Sequence, residues 1–159
     1  MSRSGANLAL LMLGGFRSLV DAATIELAAR GYEDVRPLHD FALRAIAAGA
    51  DSASELGRRM SVTKQAAART VTVLEERGYV ERKADPADAR RMRLQVSERG
   101  SALLSEGEQI FDELRAQWQQ QIGAAKLAEL ESLLTELVGS QPVRFDTPGW
   151  LARDLGESL

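Results

Sequence analysis

Lys64, Gln65, Ala68, Arg69 and Thr72 fall on one face of an amphipathic pattern, with Thr63 just ahead of it. Those residue types share a chemistry. Lys and Arg bond guanine edges or phosphates, Gln pairs with adenine, and Thr hydroxyls reach phosphates or bases. The opposite face carries Ala67, Val71 and Leu74 at spacings of four and three, the stripe expected to pack inward. Three consecutive alanines, Ala66 to Ala68, keep the helix slim and stable, so another backbone can approach it closely. A solvated surface helix would carry a similar face, and one helix alone does not separate the two readings.

A second basic cluster moves the balance. Arg90, Arg91 and Arg93 gather at one predicted hairpin, which a purely structural hairpin does not require. From Ser52 to Arg99, eleven Lys or Arg stand against seven Asp or Glu, a local net of +4. The whole chain of 159 residues has a net charge of −3, so the remainder is −7. An acidic chain that concentrates its positive charge in one unit is suited to meeting a polyanion there.

Other chemistry is poorly served. There is no cysteine, which excludes disulfides, thiolate metal sites and thiol redox sensing. One histidine, His39, furnishes no His-rich metal cluster and has no evident nucleophile to activate. No phosphate-cradling glycine loop or pair of carboxylates in an apolar setting is present. We therefore expect no enzyme, no metal and no cofactor.

The elements that position the basic residues are readable from punctuation and period. A first helix runs from about Ser4 to Arg30 with Gly31 just past its end. It is apolar nearly all round over its first half, so we expect it buried on more than one side, the second being another subunit. Arg3 ahead of Leu8 to Leu13 superficially resembles a signal-peptide core, but no A-x-A-like site follows directly. Arg17, Asp21 and Glu26 interrupt the apolar pattern, and no uncharged stretch approaches the ~20 residues that span a bilayer. We expect a cytoplasmic protein without a membrane segment.

Pro37 opens a second helix to about Ala48, with Phe41, Ala45 and Ile46 as its expected core. Ser52-Ala53-Ser54-Glu55 fits a capping box for a short helix to about Arg59. Ser61-Val62-Thr63 breaks the chain, and the next helix spans Lys64 to Arg77 before Gly78. From Tyr79 the period becomes two. Strands at Tyr79–Lys83 and Arg91–Val96 flank a turn-forming Ala84–Arg90, with Met92, Leu94 and Val96 on one face. Ser97 caps a long helix to about Ile122, and a leucine-rich helix follows to about Val138. The fold class is thus mainly α with a small β-hairpin wing, a winged helix-turn-helix joined to a helical scaffold.

Asp85-Pro86-Ala87-Asp88-Ala89-Arg90, followed by Leu94-Gln95-Val96-Ser97-Glu98-Arg99-Gly100, resembles the wing and post-wing signature of the MarR family of bacterial transcriptional regulators. Leu74 to Arg82 is similar to that family's passage from recognition helix to wing, and the likeness runs from about Ala6 to Val138. The resemblance implies a homodimeric repressor on a palindromic double-stranded DNA operator. Residues 1–31 and 98–140 would form the dimerisation region, 36–97 the DNA-binding region, and 141–159 an irregular tail. Lys64, Gln65, Ala68 and Arg69 would lie in the major groove, with Thr63 and Thr72 binding DNA at phosphates or bases. Arg90, oriented by Asp88, would enter a minor groove beside Arg91. Many relatives release DNA when a small aromatic or phenolic effector binds between the dimerisation helices and the winged helix. Phe16, His39, Phe41 and Trp118 are the candidates for that crevice, against the plainer alternative that aromatics at helical spacing are core. The competing class is a winged helix that binds protein, whose recognition face would be acidic or apolar.

Overall fold

The computed structural model describes residues 4–139, so the expected irregular tail at 141–159 lies outside the described residues. Six helices and one hairpin follow in order: α1 (Gly5–Ala29), α2 (Pro37–Ala47), α3 (Ala53–Met60), α4 (Lys64–Glu76), β1 (Val80–Ala84), β2 (Met92–Val96), α5 (Glu98–Ile122) and α6 (Ala124–Val138). They form two compact units. Among the described residues, one unit holds 4–34 together with 107–139, and the other is Val35–Glu106.

In the Val35–Glu106 unit the cap residues do what their types predict. Ser52 Oγ accepts the Glu55 amide at 3.2 Å and starts α3. The reciprocal half of the expected box does not form, because the Glu55 carboxylate takes Arg58 and Arg59. These arginines, Arg59 foremost, hold the Glu55 carboxyl below the usual carboxylate range. Thr63 Oγ1 accepts the Ala66 amide at 3.1 Å and starts α4. At the end of α4, Gly78 has φ +75°, and Tyr79 N–H reaches back to the Leu74 carbonyl at 2.9 Å. That closure turns the chain directly from helix into β1.

β1 and β2 are antiparallel, with Val80 opposite Val96 and Ala84 opposite Met92. Leu94 N–H donates to the Asp51 carbonyl at 2.9 Å, which fastens the loop ahead of α3 to the wing. Leu43, Leu56, Val71, Leu74 and Leu103 are fully buried and form the centre of this unit. On α2 the buried side chains are His39, Ala42, Leu43 and Ile46. Phe41 and Ala45, expected there, are only half-buried. The inward stripe of α2 is the 39-42/43-46 row, which includes Ile46 as expected and leaves Phe41 and Ala45 at its margins.

α5 starts from Ser97, whose Oγ accepts the Gly100 amide at 3.0 Å while its own N–H donates to the Tyr79 carbonyl at 3.0 Å. The first turn of α5 therefore lies against the base of the wing. A Cβ at Gly100 would stand 2.1 Å from the Tyr79 oxygen and 2.8 Å from Val96 Cγ1.

In the other unit, Ala23, Leu27, Ile110, Leu114 and Leu127 are buried. Arg30 pairs with Glu113 at 3.3 Å, and Arg115 with Glu131 at 2.6 Å, tying α1 to α5 and α5 to α6. Within one chain α1 is not the buried helix expected of it. Only Ala23 and Leu27 of its 25 residues are buried, while Leu8, Leu10, Leu11, Met12, Phe16 and Ile25 are exposed. α1 is also long and apolar enough to cross a membrane, by length and composition alone.

Candidate nucleic-acid interface

α4 presents its faces as its spacing predicts. Ala67, Val71 and Leu74 are buried; Thr63, Lys64, Gln65, Arg69 and Thr72 are exposed, and Ala68 is half-buried. Those positions, one or three residues apart from Thr63 to Thr72, make a single outward strip because a helix repeats every 3.6 residues. Two of the hydroxyls are occupied within the helix. Thr63 Oγ1 serves as the N-cap acceptor, and Thr72 Oγ1 donates to the Ala68 carbonyl at 3.0 Å.

The wing is organised by its acids. Asp85, buried with a side chain 5% exposed, accepts the Ala87 amide at 2.9 Å and an ion pair from Arg93 at 3.0 Å. Arg93 also pairs with Asp51 at 3.1 Å, and Arg91 approaches the same carboxylate at 3.4 Å. Asp88 Oδ1 accepts the Arg90 backbone N–H at 3.0 Å, an Asx turn that fixes the direction of the tip. Asp88 thus holds the backbone of Arg90, while the guanidinium projects from the turn. Arg82 of β1 pairs with Glu75 of α4 at 2.6 Å, and Gln95 with Glu81 at 2.7 Å.

The three wing arginines, grouped together in sequence, separate here into two kinds. Arg91 and Arg93 are engaged by Asp51 and Asp85, whereas Arg90 has no acidic partner. Asp51 is the residue that sequence reasoning missed. It lies 40 residues from Arg91, and no spacing rule connects a loop before one helix to a later strand. Among the described residues, the cations with no side-chain partner are Lys64, Arg69, Arg90 and Lys126. Three of those four sit on the outer strip of α4 or at the tip of the wing. A desolvated acid elsewhere does not claim them, so they are available to an anion.

A model of the MarR family matches residues 37–91, the segment from the start of α2 through the turn of the wing. Over that segment the chain is similar to the MarR family. Solved structures agree in fold. E. coli MarR is 23% identical, with a TM-score of 0.62, covering 82% of this chain and 96% of its own. A mutant of S. aureus MepR is 17% identical with a TM-score of 0.66, covering 86% and 98%. A Mycobacterium tuberculosis MarR family protein, solved in complex with p-aminosalicylic acid, is 25% identical with a TM-score of 0.60, covering 83% and 98%. A further similar structure, 18% identical with a TM-score of 0.59, is that of a MarR-family transcriptional regulator from Rhodococcus sp. RHA1.

The four residues proposed for an effector crevice do not all fall in one unit. Phe16 on α1 and Trp118 on α5 lie in the first; His39 and Phe41 on α2 lie in the second. Phe16 is exposed and Trp118 half-buried, with its ring edge 3.5 Å from where a Cβ at Gly15 would stand. His39 is buried, and its Nδ1 accepts the Arg36 backbone N–H at 3.3 Å. That bond completes the cap of α2 and gives His39 a structural role of its own.

Proposed function

We propose that this chain is a MarR-family transcriptional regulator that binds DNA, a cytoplasmic homodimeric repressor in which each protomer reads one half of a palindromic operator. Residues 36–97 would bind DNA, and residues 1–31 with 98–140 would join the two protomers. The observation that carries the DNA reading is the placement of unpartnered cations. Lys64 and Arg69 stand on the strip of α4 and Arg90 at the tip of the wing, while the neighbouring arginines are neutralised by acids. Gln65, Ala68, Thr63 and Thr72 complete the major-groove strip. Arg91, half-held by Asp51, supports the backbone grip, and Asp88 aims Arg90.

The dimer reading rests on apolar side chains that one chain leaves in water. Leu8, Leu10 and Leu11 of α1 and Leu133 and Leu137 of α6 are each about half exposed or more. Apolar surface on that scale marks an interaction face. A second copy covers it at no cost in the charged residues Arg17, Asp21 and Glu26, which a bilayer would have to bury. Release by a small aromatic or phenolic molecule, touching Phe16, His39, Phe41 or Trp118, is supported by the M. tuberculosis relative solved with p-aminosalicylic acid.

A mobility-shift assay on the DNA upstream of the chain's own gene, with and without a panel of phenolic compounds, tests this reading. Arg69→Ala should weaken binding by about 1–3 kcal/mol and relax discrimination at one base position per half-site. Arg90→Ala should weaken binding across sequences and reduce the slope of log affinity against log salt by about 1. Unchanged affinity in both variants would remove these residues from the interface. A winged helix that binds protein instead predicts no salt-dependent DNA affinity at all.

A further inference from the structure

Thr72 differs from the other residues of the α4 strip in what it has left to offer. Its Oγ1 donates to the Ala68 carbonyl at 3.0 Å, one turn back along the helix. A hydroxyl carries one proton, so in this rotamer none remains to donate outward. Thr63 is the opposite case: its Oγ1 accepts the Ala66 amide and its proton stays available for a phosphate. Lys64, Gln65 and Arg69 keep their donors as well. The outer strip therefore has donors at positions 63, 64, 65 and 69, then an exposed side chain at 72 whose contribution is a γ-methyl and oxygen lone pairs.

Turning Thr72 outward to donate would give up a bond already made within the helix, and exchanging one hydrogen bond for another gains little. In the major groove the apolar feature on a base edge is the C5-methyl of thymine. We infer that Thr72 is a specificity-determining residue that reads a thymine through its γ-methyl rather than by donating its hydroxyl to a phosphate or base. The inference rests on α4 being the base-reading helix. It adds which base the distal part of the strip selects and by what contact.

The test starts from a randomised double-stranded DNA library selected against the full chain. In the enriched duplex, each thymine is replaced singly by deoxyuridine, which removes only the methyl. Wild type should lose about fourfold in affinity at one thymine per half-site, the size expected for exposing one methyl group. Thr72→Val, which keeps the methyl and deletes the hydroxyl at an exposed position, should bind within about twofold of wild type and keep that sensitivity. Thr72→Ser, which keeps the hydroxyl and deletes the methyl, should become indifferent to deoxyuridine at the same step. The opposite pattern, with Ser preserving selectivity and Val losing it, overturns the inference. So does an enriched duplex in which no thymine is sensitive, and in that case the DNA reading of α4 survives. A library that yields no enriched duplex removes the DNA reading itself, and the thymine contact falls with it.

Discussion

A Leu11→Glu, Leu133→Glu double variant is expected to sediment as a monomer at micromolar concentration and to bind operator DNA at least about 100-fold more weakly than wild type. Both leucines are exposed in the protomer, at 65% and 49%, so charging them does not disturb the core of one chain. In a dimer each would place a carboxylate into the apolar seam between copies, where burying an unpaired charge is prohibitive. The DNA effect follows from geometry. Two winged helices held together bind two half-sites with the second event made intramolecular, and a monomer forfeits that advantage. Analytical ultracentrifugation and a mobility shift on the same samples check both halves. A variant that stays dimeric with unaltered affinity would remove these leucines from the seam. Cosedimentation of the wild-type chain with lipid vesicles would reassign the apolar α1 to a membrane.

The second large effect concerns folding. Gly100→Ala should destabilise the chain by about 3 kcal/mol, at the upper end of the usual overpacking range. The added Cβ would sit 2.1 Å from the Tyr79 carbonyl oxygen, closer than any real contact, and 2.8 Å from Val96 Cγ1. The oxygen cannot retreat cheaply, because it already accepts the Ser97 N–H that seats α5 on the wing. Relief requires sliding the first turn of α5 away from β2, opening the edge of a packed core around Leu103 and Leu94. Thermal denaturation followed by circular dichroism should show a Tm lowered by roughly 10 °C. Gly5→Ala is the control: nothing lies within 4 Å of its Cβ position, and its stability should stay within about 0.5 kcal/mol of wild type. A Gly100→Ala protein as stable as the wild type would show that the α5 start can shift freely.

How far these features were legible in the chain itself varies with their range. Local signals were enough for the caps at Ser52, Thr63 and Ser97, the stops at Gly31 and Gly78, and the inward stripe of α4. Each is decided by residues within four or five positions. α2 shows where local reading weakens, since Phe41 and Leu43 both fit an amphipathic helix and only the neighbouring helices choose between them. Strand alternation put Met92 on the inner face with Leu94, yet Met92 is half exposed because the core ends before the wing tip does. The partition of the wing arginines was out of reach, because Asp51 meets Arg91 and Arg93 only after the loop before α3 folds onto β2. The exposure of α1 was not legible either, because an apolar pattern does not say which of its side chains one chain covers.

The grip of Asp51 and Asp85 on two of the three wing arginines has a mechanical consequence. A hairpin with three unpaired guanidiniums would attract a polyanion over its whole length and settle at many angles. With Arg91 and Arg93 held just below the turn, the pull of a polyanion on the wing would concentrate on Arg90. A force applied at the tip of a braced arm aligns that arm, so the wing behaves as a pointer rather than as a charged patch. Asp51, which holds both arginines and accepts the Leu94 N–H through its carbonyl, would set the stiffness of the pointer's mount.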